Sequence, residues 1–432
     1  MIDRTTPPPL STFGDLSLNF PAVTHLPNGI PCWIINGGDD DMNRVNIYFK
    51  GGSFMEDLPG QAILTAYMLT EGNTSMPPEQ VAEMFDFYAA RKSCDSYDYW
   101  SEVVMTSLND NFAHTMPLLF QCITSPSFPE QALETLKRRL AGNLGVMQQR
   151  VKYLAAVRMK ELYYGDNHPL GKNLTPDHIM GITRDDLLAF HNRFYHPANC
   201  CMIISGKVDD KVMATINSTI GAWTTTAREE PFPAWTISPS PIMLDIVDKP
   251  GAMQSALRLR IEAVKRNHPD YLPLRILVMA FGGYFGSRLM SNIREDKGYT
   301  YGIGAALLGI ENDGCVDIQC ECATQHTWNV IKEIKHEMKR LRDELIPLDE
   351  LDTVKQHMLS AAAKTHDSPY NIASYVSSTI LFGVYPEYHN RQLDCIRNIT
   401  PQQLQTIARR YLTDERLRTT IAGDKTQLNS LL

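Results

Sequence analysis

Residues 182–206 return as residues 399–423, 25 against 25, at a constant offset of 217 and without a gap. Ile182-Thr183 matches Ile399-Thr400, Leu187 matches Leu404, and Arg193-Phe194 matches Arg410-Tyr411. Both copies close on an apolar run, Ile204-Ser205-Gly206 and Ile421-Ala422-Gly423. In a chain of 432 residues, an offset of about half the length marks a duplication. Whatever fold one half adopts, the other must be able to adopt as well. Each copy reads as helix, turn and strand, and the threonine at its head is an N-cap whose hydroxyl accepts from first-turn N–H groups.

A composition break separates the halves. Thr224-Thr225-Thr226-Ala227-Arg228-Glu229-Glu230-Pro231 runs into Pro233, Pro239 and Pro241, where missing backbone donors and fixed φ stop both helix and central strand. The chain therefore divides into an extended arm at 1–20, with Pro7-Pro8-Pro9, a first domain at 21–223, a linker at 224–241 and a second domain at 242–432. A proline-rich linker of this kind permits hinge motion. Within the first half, Asn28-Gly29 signals a type I′ hairpin and Val45 to Phe49 alternates as a strand; after the linker, Leu257 to Ile261 does likewise. Gln61–Leu69, Pro129–Arg150 and Thr327–Leu345 carry helical periodicity. The fold class is α+β twice over: two homologous sandwich domains, each a mostly antiparallel sheet packed with helices.

Charge and cysteine usage narrow the function. A net charge of −8 gives no overall attraction to phosphate backbones, so nucleic acid is an unfavoured partner. No apolar run approaches the ~20 residues of a membrane span, and Met1 to Pro9 lacks a secretory signal's apolar core. Nine cysteines without a CxxC pair suit a reducing compartment, so the expected location is cytoplasmic, with no membrane.

The segment Pro59-Gly60-Gln61-Ala62-Ile63-Leu64-Thr65-Ala66-Tyr67-Met68-Leu69 closely resembles the zinc helix of the pitrilysin-like M16 (inverzincin) peptidases, zinc-less processing-peptidase-like members included. In that family the helix carries HxxEH, two histidine ligands one turn apart and a glutamate that takes a proton from the metal-bound water. Aligned here, those positions hold Ile63, Ala66 and Tyr67. Isoleucine and alanine have no lone pair, and one phenol cannot hold zinc. The family's distal glutamate is missing too, since no Asp or Glu lies between Glu134 and Glu161. That stretch carries Lys137, Arg138, Arg139, Arg150, Lys152, Arg158 and Lys160 instead, read as a solvated helix face. No metal and no cofactor are expected in this chain.

The resemblance runs from about Asn28 to Gly423. His168-Pro169-Leu170-Gly171 and Phe194-Tyr195-His196-Pro197-Ala198-Asn199 look like the end of the family's first domain, and Asp248-Lys249-Pro250-Gly251-Ala252-Met253-Gln254-Ser255 like the opening of its second. Phe281-Gly282-Gly283 and Ile293-Arg294-Glu295-Asp296-Lys297-Gly298-Tyr299-Thr300-Tyr301 are similar to the segment bearing a functional arginine and tyrosine seven residues apart. Arg294 and Tyr301 fit it. By that resemblance they would stabilise charge building on a scissile carbonyl, whereas Gly282-Gly283 serves close helix–sheet approach rather than phosphate binding. Cys320 and Cys322 are read as core residues on one face of a strand. One departure is that the family's Asn-Ala-x-Thr edge strand stands here as Lys92-Ser93-Cys94-Asp95, so the first domain is read as having lost its own peptide-binding edge.

The resemblance implies a non-catalytic subunit of a heteromeric zinc peptidase, lending Arg294 and Tyr301 in trans to peptide hydrolysis at an HxxEH-bearing M16 partner that supplies the zinc. The rival expectation is an inert peptide-binding or structural scaffold, which also explains Ile63, Ala66 and Tyr67 but does not require the Arg/Tyr pair. Homodimerisation in the partner's absence stays open.

Overall fold

The computed structural model describes residues 14–309 and 313–431. Most of the arm at 1–20 therefore lies outside the described residues. The first half builds a six-stranded sheet from β1 (Val23–His25), β2 (Pro31–Asn36), β3 (Met42–Lys50), β4 (Arg91–Ser96), β5 (Trp100–Leu108) and β6 (Cys200–Gly206). The second builds five strands, β7 (Leu244–Asp248), β8 (Gln254–Glu262), β9 (Thr300–Gly309), β10 (Gly314–Ala323) and β11 (Arg418–Gly423). Their orders are β1-β2-β6-β3-β5-β4 and β7-β11-β8-β10-β9. Apart from the short β1, the two orders superimpose, and in each sheet one parallel pair, β2 with β6 or β7 with β11, stands among antiparallel ones. The fold is α+β in two mixed sheets packed with helices.

The duplicated segments take the same form. Helices Arg184–Phe194 and Pro401–Tyr411 occupy equivalent places. Thr183 accepts from Asp186 N at 3.2 Å while Asp186 accepts from Thr183 N at 2.8 Å, and Thr400 and Gln403 exchange the same two bonds at 3.3 and 2.9 Å. Each helix start is thus closed by a reciprocal capping box that the two sequences encode with different acceptors.

Alternation along the central strands divides each sheet into two environments. Val45, Ile47 and Phe49 face one core with Leu64, Met105 and Phe194; Leu257, Leu259 and Ile261 face the other with Leu274, Phe281 and Ile334. The opposite faces are covered by exchanged helices. Helix Val151–Tyr164 of the first half packs on β8 and β11, and helix Pro369–Leu381 of the second packs on β6 and β2. Adding 217 to the first helix lands on the second, so the exchange is reciprocal and belongs to the duplication.

Two expectations need correction. The Asn28-Gly29 hairpin exists, but only Gly29 takes positive φ, at 89°, so it is not type I′. Pro27 pins its own φ negative, Gly29 N donates to Leu26 O at 2.8 Å, and Leu26 N to Ile30 O at 3.0 Å, which gives a turn followed by a left-handed glycine. The basic stretch is likewise not uniformly solvated. Lys137 is buried beside Glu134, and Arg158 reaches across the halves to Asp245 at 2.5 Å while meeting Glu161 of its own helix at 3.0 Å.

Residues 224–241 contain neither helix nor strand, yet they are docked. Ser238 N and Ser240 N donate to Tyr164 O and Leu162 O, Phe232 packs on Tyr99 and Trp100, and Glu229 and Glu230 pair with Lys50 and Arg193.

Candidate functional site

Helix Gln61–Met68 starts from Gly60, whose φ of 94° a side chain would strain. Its first-turn N–H groups are held by an acid from the preceding loop: the Glu56 carboxylate accepts from Gly60 N and Ala62 N, both at 3.0 Å. Burial is the largest influence on Glu56 and pushes it up to about 7, although these two donors pull the other way. Gln61 anchors the same turn, accepting from Asp57 N at 3.2 Å and donating to Asp186 O at 2.7 Å.

This start fixes what the helix presents. Ala62, Leu64, Ala66 and Met68 are fully buried, while Ile63 and Tyr67, one turn apart on one face, are half-buried. Ile63 lines a 330 Å³ cavity with Glu56, Asp98, Lys160 and Trp235; Tyr67 lines one of 550 Å³ with Glu71, Thr135 and Arg139. Burial, and after it the Asp95 carboxylate, raises the Tyr67 phenol, with Arg139 opposing. The residues present do not fit zinc. Two of the three positions are hydrocarbon, the third is a phenol engaged with Asp95, and among the described residues no group of three His, Cys, Asp or Glu could hold a metal ion.

Lys92-Ser93-Cys94-Asp95 lies in β4, the outer strand of the first sheet, paired in the described residues only with β5. The edge is geometrically present. Its polar side chains are spent locally, since Lys92 donates to Thr70 at 2.8 Å and Asp95 adjoins Tyr67.

Arg294 and Tyr301 are brought together. Residues Met290–Asp296 form a wide π-helical turn, a form that often marks functional positions, and Gly298 at φ 62° turns the chain into β9, the outer strand of the second sheet. The Arg294 guanidinium lies 4.7 Å from the centroid of the Phe285 ring and 5.7 Å from that of Tyr301, distances at which a cation is attracted to a ring face. Its acidic neighbour Glu295 stands at 3.9 Å. Tyr301 is 93% exposed and lines a 670 Å³ cavity with Lys152, Arg258 and Glu321. That cavity includes none of Ile63, Ala66 or Tyr67. At Gly282, a Cβ would meet the Ala305 backbone nitrogen at 2.8 Å, so this glycine does serve close packing against β9. Cys320 and Cys322 are both buried in the second core.

The sequence reading missed a set of polar residues in the first half: Glu56, Asp98, Arg44 and Glu102. The last two were legible as charges at alternating positions of otherwise apolar strands.

A family model described as "Peptidase M16 inactive domain" matches residues 181–358. An uncharacterized zinc protease of Rickettsia felis is 22% identical over 333 residues, 75% of this chain and 78% of that protein. The "non-peptidase homolog YmxG" of Helicobacter pylori is 23% identical over 268 residues, 61% of each. The chain is thus similar to M16 peptidases over most of its length. Among solved structures, a Pseudomonas fluorescens M16 inactive-domain protein superimposes with TM-score 0.86 at 20% identity, covering 94% of this chain and 99% of that one. A chain of complex III2 from Candida albicans does so with TM-score 0.74 at 14% identity, covering 95% and 97%. This M16-like fold lacks the catalytic set: Ile63, Ala66 and Tyr67, two hydrocarbons and a phenol, stand where the family has its two helix ligands and its base.

Proposed function

We propose that this chain is the accessory subunit of a heteromeric M16 zinc peptidase, and that it lends Arg294 and Tyr301 in trans to a partner bearing HxxEH. The observation that carries the reading is the contrast between the two halves. Ile63 and Ala66 have become packing residues, whereas the Arg294–Tyr301 pair stays assembled, with Tyr301 open to solvent and, among the described residues, no acid closer to Arg294 than Glu295 at 3.9 Å. A guanidinium and a phenol can stabilise negative charge on a carbonyl oxygen but cannot generate a nucleophile. In this reading the zinc belongs to the partner's residues.

Peptide substrate joins the outer edge of β9, which among the described residues pairs only with β10 and so offers backbone groups to an added strand. The nine cysteines, all free thiols, support a reducing, cytoplasmic setting. A scaffold reading is favoured by the name "non-peptidase homolog" of one relative. Co-expression with an HxxEH-bearing M16 chain separates the two. The proposal expects a stable complex by size-exclusion chromatography with light scattering, and peptidase activity only in that complex. A complex no more active than the partner alone supports the scaffold.

A further inference from the structure

The reciprocal helix exchange lays a helix of the other half over one face of each sheet, and the charges on those two faces differ in a way the duplication makes interpretable. The register fixes the comparison. In the second half Arg260 pairs across the sheet with Arg418 and Asp317, and Arg258 with Thr420. In the first half Tyr48 pairs with Cys201 and Glu102, Asn46 with Ile203, and Arg44 with Ser205. The offset of 217 carries Cys201, Ile203 and Ser205 of β6 onto Arg418, Thr420 and Ala422 of β11, and through the pairings Tyr48 answers to Arg260, Asn46 to Arg258, Arg44 to Ala256 and Glu102 to Asp317.

The second copy neutralises itself. Asp317 takes Arg260 at 2.7 Å and Arg258 at 2.9 Å, and Lys152 meets Glu321 at 3.3 Å. In the first copy both arginine positions have become neutral side chains, and Glu102 is held by hydrogen bonds from Asn46 at 2.8 Å and Tyr97 at 3.3 Å. The arginine has moved two positions along the strand to Arg44. There its Nε is buried without a partner, and no described residue accepts from its guanidinium. A half-buried guanidinium with five donors and no acceptor carries a desolvation cost that an incoming oxyanion removes.

Both charges open onto one cavity of 680 Å³, walled by Tyr97, Trp100 and Phe382 and closed by the exchanged helix through Ser374 and Ser377. Its size suits a small ligand. Because Glu102 faces Tyr48, it stands four strand positions from Arg44, roughly 13 Å at ~3.4 Å per residue. Asp98 adds a second carboxylate to the lining. A cationic site and an anionic site at this spacing, with aromatic walls, define a zwitterion. We propose that this cavity binds a short free-ended peptide of about three residues, its carboxylate on Arg44 and its ammonium toward Glu102 and Asp98. An extended tripeptide places those termini about 10 Å apart, so a hydrogen bond of ~2.9 Å at each end is reached with the two side chains leaning slightly apart.

The site is separate from Arg294 and Tyr301, so its test uses the full chain with no partner and stands or falls independently of the in-trans reading. Isothermal titration calorimetry compares the tripeptide Ala-Phe-Ala with its C-terminal amide and its N-acetyl form. The expected result is binding of the free-ended peptide, weakened at least tenfold by either cap. Arg44→Gln is expected to abolish the discrimination against the amide, and Glu102→Gln that against the acetyl form. Equal affinity of the wild-type chain for free and amidated peptide, or no binding at millimolar peptide, overturns the proposal whether or not the variants fold.

Discussion

Arg158 and Asp245 join the two halves: the guanidinium Nε of a residue on the first half's exchanged helix lies 2.5 Å from a carboxylate oxygen on β7, the outer strand of the second sheet. Glu161 meets the same guanidinium at 3.0 Å. The Asp245 bond is the main reason the Arg158 pKa is raised, against the opposing effect of burial. Both side chains are about one-third exposed, so solvent screens the pair. A double-mutant cycle of Arg158→Met and Asp245→Asn, read by urea denaturation, should give a coupling of about 0.5–1 kcal/mol. A coupling of zero would mean that the helix is held by packing and by its other hydrogen bonds, such as Thr420 to Ala155 O at 2.9 Å.

The reciprocal helix is tied by a neutral contact. Tyr48 donates to Ser377 at 2.9 Å in a buried setting, and Ser377 donates onward to Ala373 O at 2.8 Å. Tyr48→Phe keeps the ring and removes this bond together with the one the hydroxyl accepts from Asn46 at 3.3 Å, at an expected cost of about 1–2 kcal/mol. The urea midpoint should fall with the m-value unchanged; a changed m-value would show that the helix detaches instead.

Stability should vary with pH through Glu56. Its carboxyl is raised from an ordinary 4.5 to about 7, so between those values the native state holds a proton that the unfolded chain has released. The sign follows: below about 4.5 the group is protonated in both states, stability falls as pH rises toward 7, and above 7 this contribution levels off. Thermal melts of Glu56→Gln from pH 5 to 8 should show a smaller decline than the wild type, even if its baseline is lower because an amide meets one of the two backbone donors less well. Parallel declines would remove Glu56 as the cause.

Restoring the metal motif tests the fit argument. Ile63→His, Ala66→Glu and Tyr67→His together supply two imidazoles and a base but no third ligand, so zinc should bind weakly in competition with a chromophoric chelator. Arg139 shares the Tyr67 cavity, and adding Arg139→Glu should tighten zinc at least tenfold. Tight stoichiometric zinc in the triple variant would reveal a ligand unaccounted for here.

Much of this was legible in the sequence because the signals were local or repeated. The duplication at 182–206 and 399–423, the capping threonines and the alternation of β3 and β8 need only neighbouring residues or a register. The exchanged helices were not legible. Val151–Tyr164 has a helical sequence, but its partners β8 and β11 lie about 100 and 260 positions away, and nothing in its own residues states which sheet it will cover. The same blindness turned Arg158 into a surface charge. Asn28-Gly29 misled because Pro27, one position earlier, decided the turn. At the site, the loss of a ligand at Ile63 and of the base at Ala66 was plain from chemistry, whereas the unpaired Arg44 emerged only when both registers could be compared.

The most direct measurement of the central claim is kcat for peptide cleavage by the complex with an HxxEH-bearing partner, comparing wild type with Arg294→Ala and Tyr301→Phe. Removing one donor to a developing oxyanion typically costs about 10²-fold or more in rate. The account predicts a loss of that order for Arg294→Ala and a clear loss for Tyr301→Phe, with complex formation unchanged by size-exclusion chromatography. Cleavage that requires this chain yet proceeds at the wild-type rate with both substitutions would contradict it.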